Sequence, residues 1–323
     1  MRIVVLILLL LASTSLALVQ TPVQPETESA YVCPMHPDFT LDIEGKCSRC
    51  GMALVRAAPY DVRDYRLDFA TVPAVVKPGQ KATFRLNVFH PGTGEQVRRF
   101  ETVHERQYHL FAIGQDMEYF EHLHPEQRRD GSWSIDVTLP KAGYYKILSD
   151  FMPGGGSPQF IARPLVTAGY LGDLAGGSAR LIPDTTPAKT VDDVTATVAY
   201  DPARFVAGLY GHLNFTLTDA RTGRPVTDLQ TYLGEFGHML IMSEDMLHYV
   251  HSHPLNLLAT ADDDGAGAHL MLPAGADLEK LRGGPEVSFD GLMPQPGLYR
   301  AWAQFRRNDK IYTFAFTFEV EAP

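Results

Sequence analysis

Alternating apolar and polar residues recur in short stretches along most of the chain and predict β-strands. The stretches "ATFRLNVF" (82–89), "HLNFTLTD" (212–219) and "YTFAFTFEV" (312–320) alternate with a period of two, which places the apolar side chains on one face of a strand. Turn signals rich in Gly and Pro, such as "PGTG" (91–94), separate such stretches, and helical periodicity is nearly absent. The pattern predicts an all-β protein.

The same pattern occurs twice along the chain. The segment "DMEYFEHLHP" (116–125) corresponds to "DMLHYVHSHP" (245–254) at an offset of 129 residues. Further on, "SIDVTLPKAGYYKILSDF" (134–151) corresponds to "SFDGLMPQPGLYRAWAQF" (288–305) at an offset of 154 residues. The offsets differ by 25 residues, which indicates an insertion in the second copy near 260–284, where a Gly-, Ala- and Asp-rich stretch predicts a long loop with room for one short helix.

Each copy holds enough short strands for one antiparallel β-sandwich of the immunoglobulin-like type. The predicted fold is all-β, with tandem sandwiches at 58–168 and 190–323, a linker between them at 169–189 and another linker at 18–30. Neither copy contains a cysteine, so apolar side chains must hold each pair of sheets together. The residues predicted for these cores are Phe84, Phe111, Tyr145 and Phe151 in the first copy and Phe215, Tyr299, Trp302 and Phe305 in the second.

The N-terminus has the pattern of an export signal. Arg2 precedes an uninterrupted apolar run, and the small residues Ser15 and Ala17 follow it. We expect a signal peptide over 1–17, cleaved after Ala17, and a periplasmic or secreted mature protein. The apolar run is too short for a membrane span, and no later stretch reaches the roughly 20 apolar residues that a span needs.

Composition and motifs narrow the classes of function. The chain of 323 residues carries 28 basic and 38 acidic residues, for a net charge of −10. An acidic surface repels phosphate backbones and mildly favours cations, so nucleic acid is not an expected partner. Motifs of nucleophilic hydrolases, zinc proteases and phosphate-binding loops are absent from the sequence, which argues against an enzyme.

All three cysteines lie in "YVCPMHPDFTLDIEGKCSRCGMALV" (31–55). Two residues separate Cys33 from His36, two separate Cys47 from Cys50, and ten lie between the pairs, as in tetrahedral metal sites built from two tight turns. We therefore predict a zinc-ribbon-like metal knuckle at 31–57. The alternative, a disulfide between two cysteines with the third left over, leaves the histidine and both spacings unexplained.

The elements "CPMHP" and "CxxCGM" resemble the heavy-metal-binding domain at the ends of bacterial copper-, zinc- and cobalt-handling efflux proteins. The resemblance covers about 25 residues and implies metal contact from Cys33, His36, Cys47 and Cys50. It also implies a metal efflux transporter or its periplasmic subunit as a partner. Ser48 and Arg49 stand where the family usually has "PK" or "PE", between ligands. The adjacent thioethers of Met35 and Met52 are candidate accessory ligands or packing residues, and the donor set does not decide between copper and zinc.

A second set of candidate ligands lies at equivalent positions of the two copies. These histidines are His109, His122 and His124 in the first copy and His238, His251 and His253 in the second. On a strand, both histidines of an H-x-H motif share one face, where they can bind one ion with a histidine from a neighbouring strand. Met117 and Met246 could add a thioether. The alternative is that these histidines donate to backbone carbonyls at a corner closed by Pro125 and Pro254.

Five further histidines have no counterpart in the other copy: His90, His104, His212, His248 and His269.

Taken together, the features of the sequence predict an exported protein for heavy-metal sequestration, delivery or resistance, binding copper or zinc. The alternative is a structural adaptor with one structural zinc and protein-binding sandwiches.

Overall fold

The computed structural model describes residues 30–34, 39–48, 52–57, 64–173, 180–255 and 277–323. Outside these ranges lie the predicted signal peptide, most of the first linker, Met35, His36, Arg49, Cys50, His269 and residues 260–276 of the predicted insertion. Within the described part of the chain, no helix is long and apolar enough to cross a bilayer.

The N-terminal module is a small antiparallel sheet that packs against the first repeat. Its strands are β1 (Ala30–Val32), β2 (Thr40–Leu41) and β3 (Val55–Ala57), in the order β2-β1-β3. Val32 and Ala57 are buried in one apolar cluster with Met152, and Val103 packs against it. The module is therefore joined to the first repeat by an apolar contact.

The first repeat is a sandwich of two antiparallel sheets. One sheet has the order β4-β5-β9-β8 and the other β11-β10-β6-β7. The bounds are β4 (Arg66–Val72), β5 (Lys81–Phe89), β6 (His109–Gly114), β7 (Phe120–Leu123), β8 (Glu126–Gln127), β9 (Trp133–Thr138), β10 (Tyr144–Phe151) and β11 (Gln159–Val166).

The second repeat has the same plan with extra edge strands. Its bounds are β12 (Ala188–Val191), β13 (Val194–Asp201), β14 (Phe205–Val206), β15 (Tyr210–Asp219), β16 (Leu229–Gln230), β17 (His238–Ser243), β18 (Tyr249–Ser252), β19 (Pro254–Leu255), β20 (Arg282–Gly283), β21 (Glu286–Leu292), β22 (Gly297–Arg307) and β23 (Lys310–Glu321). One sheet has the order β12-β13-β15-β21-β19. The other sheet is centred on β22, which pairs with β23 on one side and with β17 and β16 on the other. Beyond these strands, β14 pairs in parallel with β23, β18 pairs with β17, and β20 pairs with β16.

Corresponding strands of the repeats occupy corresponding places, as the sequence offsets require. Strands β6, β7, β10 and β11 match β17, β18, β22 and β23, and each repeat has its own buried core. The predicted all-β fold of two tandem sandwiches is confirmed. The described end of the predicted insertion forms a short 3-10 helix (Leu278–Lys280), for which the sequence left room, and strand β20.

The two repeats pack against each other through the sheets that contain β6 and β17. Every residue of both strands is buried, because one face of each strand lines its own core and the other face meets the opposite repeat. The residues buried in this interface cluster are Phe111, Ile113, Met117, Leu148, Leu181, Leu240, Met242, Met246 and Trp302.

This interface corrects two of the predicted core positions. Phe111 and Trp302 are buried between the repeats, not inside the sandwiches, whereas the other six predicted aromatic residues lie in the sandwich cores. Trp302 stacks on Phe120 of the other repeat with ring centroids 4.8 Å apart. Leu181 joins the same cluster, so this part of the predicted linker is docked at the interface.

We expect Trp302→Ala to lower the free energy of unfolding by about 3–5 kcal/mol, because it leaves a cavity where two sheets meet. Unfolding in urea, followed by circular dichroism, should then separate into two transitions as the repeats uncouple. Trp133→Ala is the matched control, since Trp133 lies in the core of the first repeat. A Trp302→Ala variant that unfolds in one transition, with a loss below about 1 kcal/mol, would contradict this account of the interface.

Candidate metal centre

The six paired histidines come together where the repeats meet. His109 and His238 begin β6 and β17, His122 and His251 lie on β7 and β18, and each H-x-H motif ends just beyond its strand. Because side chains alternate along a strand, His109, Phe111 and Ile113 share the face that meets the other repeat, as do their counterparts on β17. The interface therefore has an apolar part and a histidine part.

The histidine rings form one continuous cluster across the interface. Ring centroids of His122 and His124 are 4.6 Å apart, and those of His251 and His253 are 4.5 Å apart. Between the repeats, the centroid of His251 lies 5.5 Å from that of His109 and 5.8 Å from that of His122. Each repeat thus contributes histidines to a shared site.

Backbone carbonyls determine the proton positions on one pair of equivalent histidines. His109 Nε2 lies 3.0 Å from the carbonyl oxygen of Val103, and His238 Nε2 lies 2.8 Å from that of Tyr232. A carbonyl oxygen only accepts, so each Nε2 carries the proton and donates it. The Nδ1 atoms of His109 and His238 are therefore unprotonated in the neutral rings and carry a lone pair.

The second pair of equivalent histidines is held from across the interface. His122 Nδ1 lies 3.1 Å from Gln304 Oε1, and His251 Nδ1 lies 2.6 Å from Asp150 Oδ2. Gln304 donates its amide to Thr313 Oγ1, which turns its oxygen toward His122. Both Nδ1 atoms therefore donate, and in the neutral rings the Nε2 atoms of His122 and His251 carry the lone pairs.

These contacts leave lone pairs facing each other inside the cluster. His109 Nδ1 and His122 Nε2 are 3.1 Å apart, and neither carries a proton to bond the other. Among the described residues, His238 Nδ1, His251 Nε2 and both nitrogens of His253 have no hydrogen-bond partner although they are buried. A buried acceptor without a partner costs about 1–3 kcal/mol, whereas a cation between such acceptors satisfies them together.

The arrangement is the one that metal-binding histidines have in proteins. A ligating histidine usually donates its other N–H to a carbonyl or carboxylate, which fixes the ring and the tautomer. Two trios have one ligand atom from each member within 4.8 Å of the others: His109, His122 and His251, and His238, His251 and His253. His251 belongs to both trios and has one nitrogen left after its bond to Asp150, so the trios can bind only one ion at a time.

Burial keeps the imidazoles neutral, which is the form that binds metal. Loss of hydration lowers the pKa of His109 to about 4 and that of His124 to about 3, and the positive charges of neighbouring histidines add to the effect. The same causes lower the pKa of His122, His238 and His253 well below the usual value. At neutral pH the lone pairs of these rings are therefore available.

Two residues of the cluster were not among the predicted ligands. His104 stacks on His253 with centroids 3.6 Å apart, and its Nδ1 lies 3.9 Å from a carboxyl oxygen of Glu235. Burial raises the pKa of Glu235 to about 8. His104 has no counterpart histidine, because Leu233 stands at the equivalent position of the second copy. Both residues have positive φ and so occupy equivalent places in matched turns, which a comparison of the two sequences does not reveal.

The alternative interpretation of the paired histidines describes part of the geometry. His109 and His238 do donate to carbonyls, but the same bonds direct their other nitrogens into the cluster. Met117 and Met246 occupy matched turns with φ of 57° and 58° and are buried in the apolar interface cluster, which gives them a packing role.

In the N-terminal module, two of the predicted ligands are described. Cys33 and Cys47 are buried in one small cluster with Leu54, and Met52 packs against it. Two cysteines in one cluster are a donor set that suits a soft or borderline metal ion. His36 and Cys50 lie outside the described residues, so the full ligand set stays a prediction.

Two family descriptions match this chain. The one printed as "Domain of unknown function (DUF8832)" matches residues 61–163 and 189–322, and the chain belongs to this family. The one printed as "Heavy metal binding domain" matches residues 30–57, so the N-terminal module is a heavy-metal-binding domain. No curated protein matches the chain.

Solved structures with some similarity include two adhesins. FdeC of Escherichia coli has 14% identity and a TM-score of 0.23, with 84% of this chain and 71% of that chain covered. InvE of Yersinia pseudotuberculosis has 12% identity and a TM-score of 0.22, with 79% and 60% covered. Similarity at this level carries no argument about function.

The tautomers can be checked directly on the metal-free protein. We expect His109 and His238 to be protonated on Nε2, and His122 and His251 on Nδ1, because of the acceptors that each ring contacts. Long-range ¹H–¹⁵N NMR of the histidine side chains at neutral pH measures this. Protonation of His109 on Nδ1 would remove the facing lone pairs and contradict the description of the site.

Proposed function

We propose that this protein is an exported heavy-metal-binding protein that sequesters or delivers copper or zinc. It holds one ion in the N-terminal module and a second between the two repeats. The observation that carries the second site is the distance of 3.1 Å between His109 Nδ1 and His122 Nε2, near His251 of the other repeat, since the hydrogen bonds of both rings assign their protons to the other nitrogens. Imidazole nitrogens suit both copper and zinc.

The other features support the same function. The N-terminal module supplies thiolates from Cys33, Cys47 and Cys50, with His36 as the fourth ligand that the family resemblance implies. The net charge of −10 favours cations over anionic partners. The export signal over 1–17 would place the protein where efflux systems receive metal, and a metal efflux transporter is the proposed partner. Neither matched family description names a catalytic activity.

Metal counting on the full mature chain tests this proposal. We expect two ions per chain by elemental analysis after loading with Zn²⁺ or, under reducing anaerobic conditions, Cu⁺. A Cys33→Ser, Cys47→Ser double variant should keep the interface ion and lose the other. His251→Ala should lose the interface ion, with affinity reduced more than about 100-fold, because His251 belongs to both trios.

Two further variants control for misfolding and for unspecific loss of imidazole. His109→Ala removes a member of one trio and leaves the trio of His238, His251 and His253 complete, so it should weaken the interface ion less than His251→Ala does. His90→Ala should keep both ions, because His90 caps a loop through hydrogen bonds from Gly92 and Thr93 and lies outside the cluster. A wild-type chain with a single ion, lost in the double cysteine variant, would instead favour the structural adaptor.

A further inference from the structure

A cavity of about 380 Å³ opens beside the histidine cluster at the junction of all three parts of the chain. Its wall includes Pro34 of the N-terminal module, Val103, Asp150 and Pro158 of the first repeat, and Tyr249 and His251 of the second. His251 is the histidine shared by both candidate trios. The cavity therefore reaches a ligand of the proposed interface site.

The carboxylate of Asp150 lies where the cavity meets the cluster. Its Oδ2 accepts from His251 Nδ1 at 2.6 Å, and its side chain keeps 25% of its exposure. A carboxylate in a partly closed cleft attracts cations and raises their local concentration. His251 also lines the cavity, so a cation that enters by this path would meet this histidine of the cluster first.

The two repeats differ at the residue that lies between the cavity and the cluster. Gln304 occupies the position in the second repeat that Asp150 occupies in the first, and it holds His122 as Asp150 holds His251. Gln304 is 7% exposed and neutral, so it has no charge with which to attract a cation. The approximate symmetry of the site is thus broken at this position, where the charged residue of the pair lies on the wall of the cavity.

We propose that this cavity is the passage through which a metal cation reaches and leaves the interface histidines, with Asp150 as the residue that draws the ion in and positions His251. This inference rests on the proposed function, since it presumes an ion at the interface. It adds to that function a route for the ion and a role for Asp150, which is not itself a predicted ligand. Val103 links the N-terminal module to the histidine cluster. Its side chain packs against the module, and its carbonyl oxygen accepts the hydrogen bond from His109.

The test is the rate of loading of the metal-free, full mature chain with Co²⁺, followed in a stopped-flow spectrometer by its visible absorption. Pro158→Trp places a large ring in the cavity at a residue that is not itself a proposed ligand. We expect the interface site of this variant to take up metal about tenfold more slowly than that of wild type. With the cavity filled, the ion can enter only when the packed elements around it open transiently, which is a slower motion. Pro158→Ala is the matched control and should load at the wild-type rate.

The role of the negative charge of Asp150 is tested separately. Asp150→Asn keeps an oxygen for His251 Nδ1 but removes the charge, and should slow loading about tenfold at low salt and less at high salt. Asp184→Asn is its control, because Asp184 has a similar side-chain exposure of 23% and lines a different cavity. Equal rates for Pro158→Trp and Pro158→Ala, or an Asp150→Asn rate that matches that of Asp184→Asn, would overturn the passage.

The equilibrium metal content of each variant separates this inference from the proposed function. If Pro158→Trp and wild type both bind two ions and differ only in rate, both proposals stand. If both bind two ions at the same rate, the passage fails and the interface site stands. If wild type holds no ion that depends on His251, the proposed function fails, and the inference fails with it.

Discussion

Imidazole nitrogens that lack a hydrogen-bond partner are buried between the two β-sandwiches. The rest of the structure around the site depends on this constraint. Packing the repeats through their β6 and β17 sheets removes water from both faces of those strands, so every polar atom there needs a partner. The imidazole nitrogens that face away from the cluster donate hydrogen bonds to backbone carbonyls, an amide oxygen and a carboxylate. The nitrogens that face into the cluster lie next to one another, and two lone pairs cannot form a hydrogen bond. A cation bound between these nitrogens would accept their lone pairs and resolve that conflict.

The apolar part of the interface makes this arrangement possible. Trp302 and Phe120 stack face to face across the repeats, and the surrounding aliphatic and methionine side chains fix how closely the sheets approach. Burial of such side chains contributes about 1.5–3 kcal/mol each, enough to offset the cost of desolvating the histidines nearby. The duplicated sequence therefore builds one site from two half-sites, as a symmetric dimer would, but within one chain.

Duplication within one chain also allows the halves to diverge. Asp150 and Gln304 hold equivalent histidines with different charge, and His104 has no counterpart because Leu233 replaces it. A homodimer could not carry such differences. The chain thus combines an approximately symmetric set of histidines with an asymmetric surrounding, and on our proposal the Asp150 side is the one by which cations enter.

Much of the fold follows from local pattern, because strand alternation and Gly-rich turns are local properties. The period of two on β5, β15 and β23 predicts their buried faces, and matched segments at fixed offsets predict the repeat. The contact between the repeats is a long-range property, and for that reason Phe111 and Trp302 were assigned to the wrong layer. A signal was present in "HLFAIG" and "HMLIM", where an almost unbroken apolar run indicates a strand covered on both faces.

The histidine site shows the same division between local and long-range information. The pairing of His109, His122 and His124 with their counterparts is visible in the sequence, and so is the shared face of each H-x-H motif. That the two triplets meet, and that Asp150 and Gln304 reach across to hold them, depends on how the sheets dock. His104 could not be found by comparing the copies, because only one copy carries it.

The most direct measurement is an anomalous difference map from a crystal of the full mature chain loaded with Zn²⁺. We predict a peak between the repeats, about 2.0–2.1 Å from at least three imidazole nitrogens that include His251 Nε2, besides a peak in the N-terminal module. A map with density at the N-terminal cysteines alone, and none among the interface histidines, would contradict the claim that the repeats bind metal.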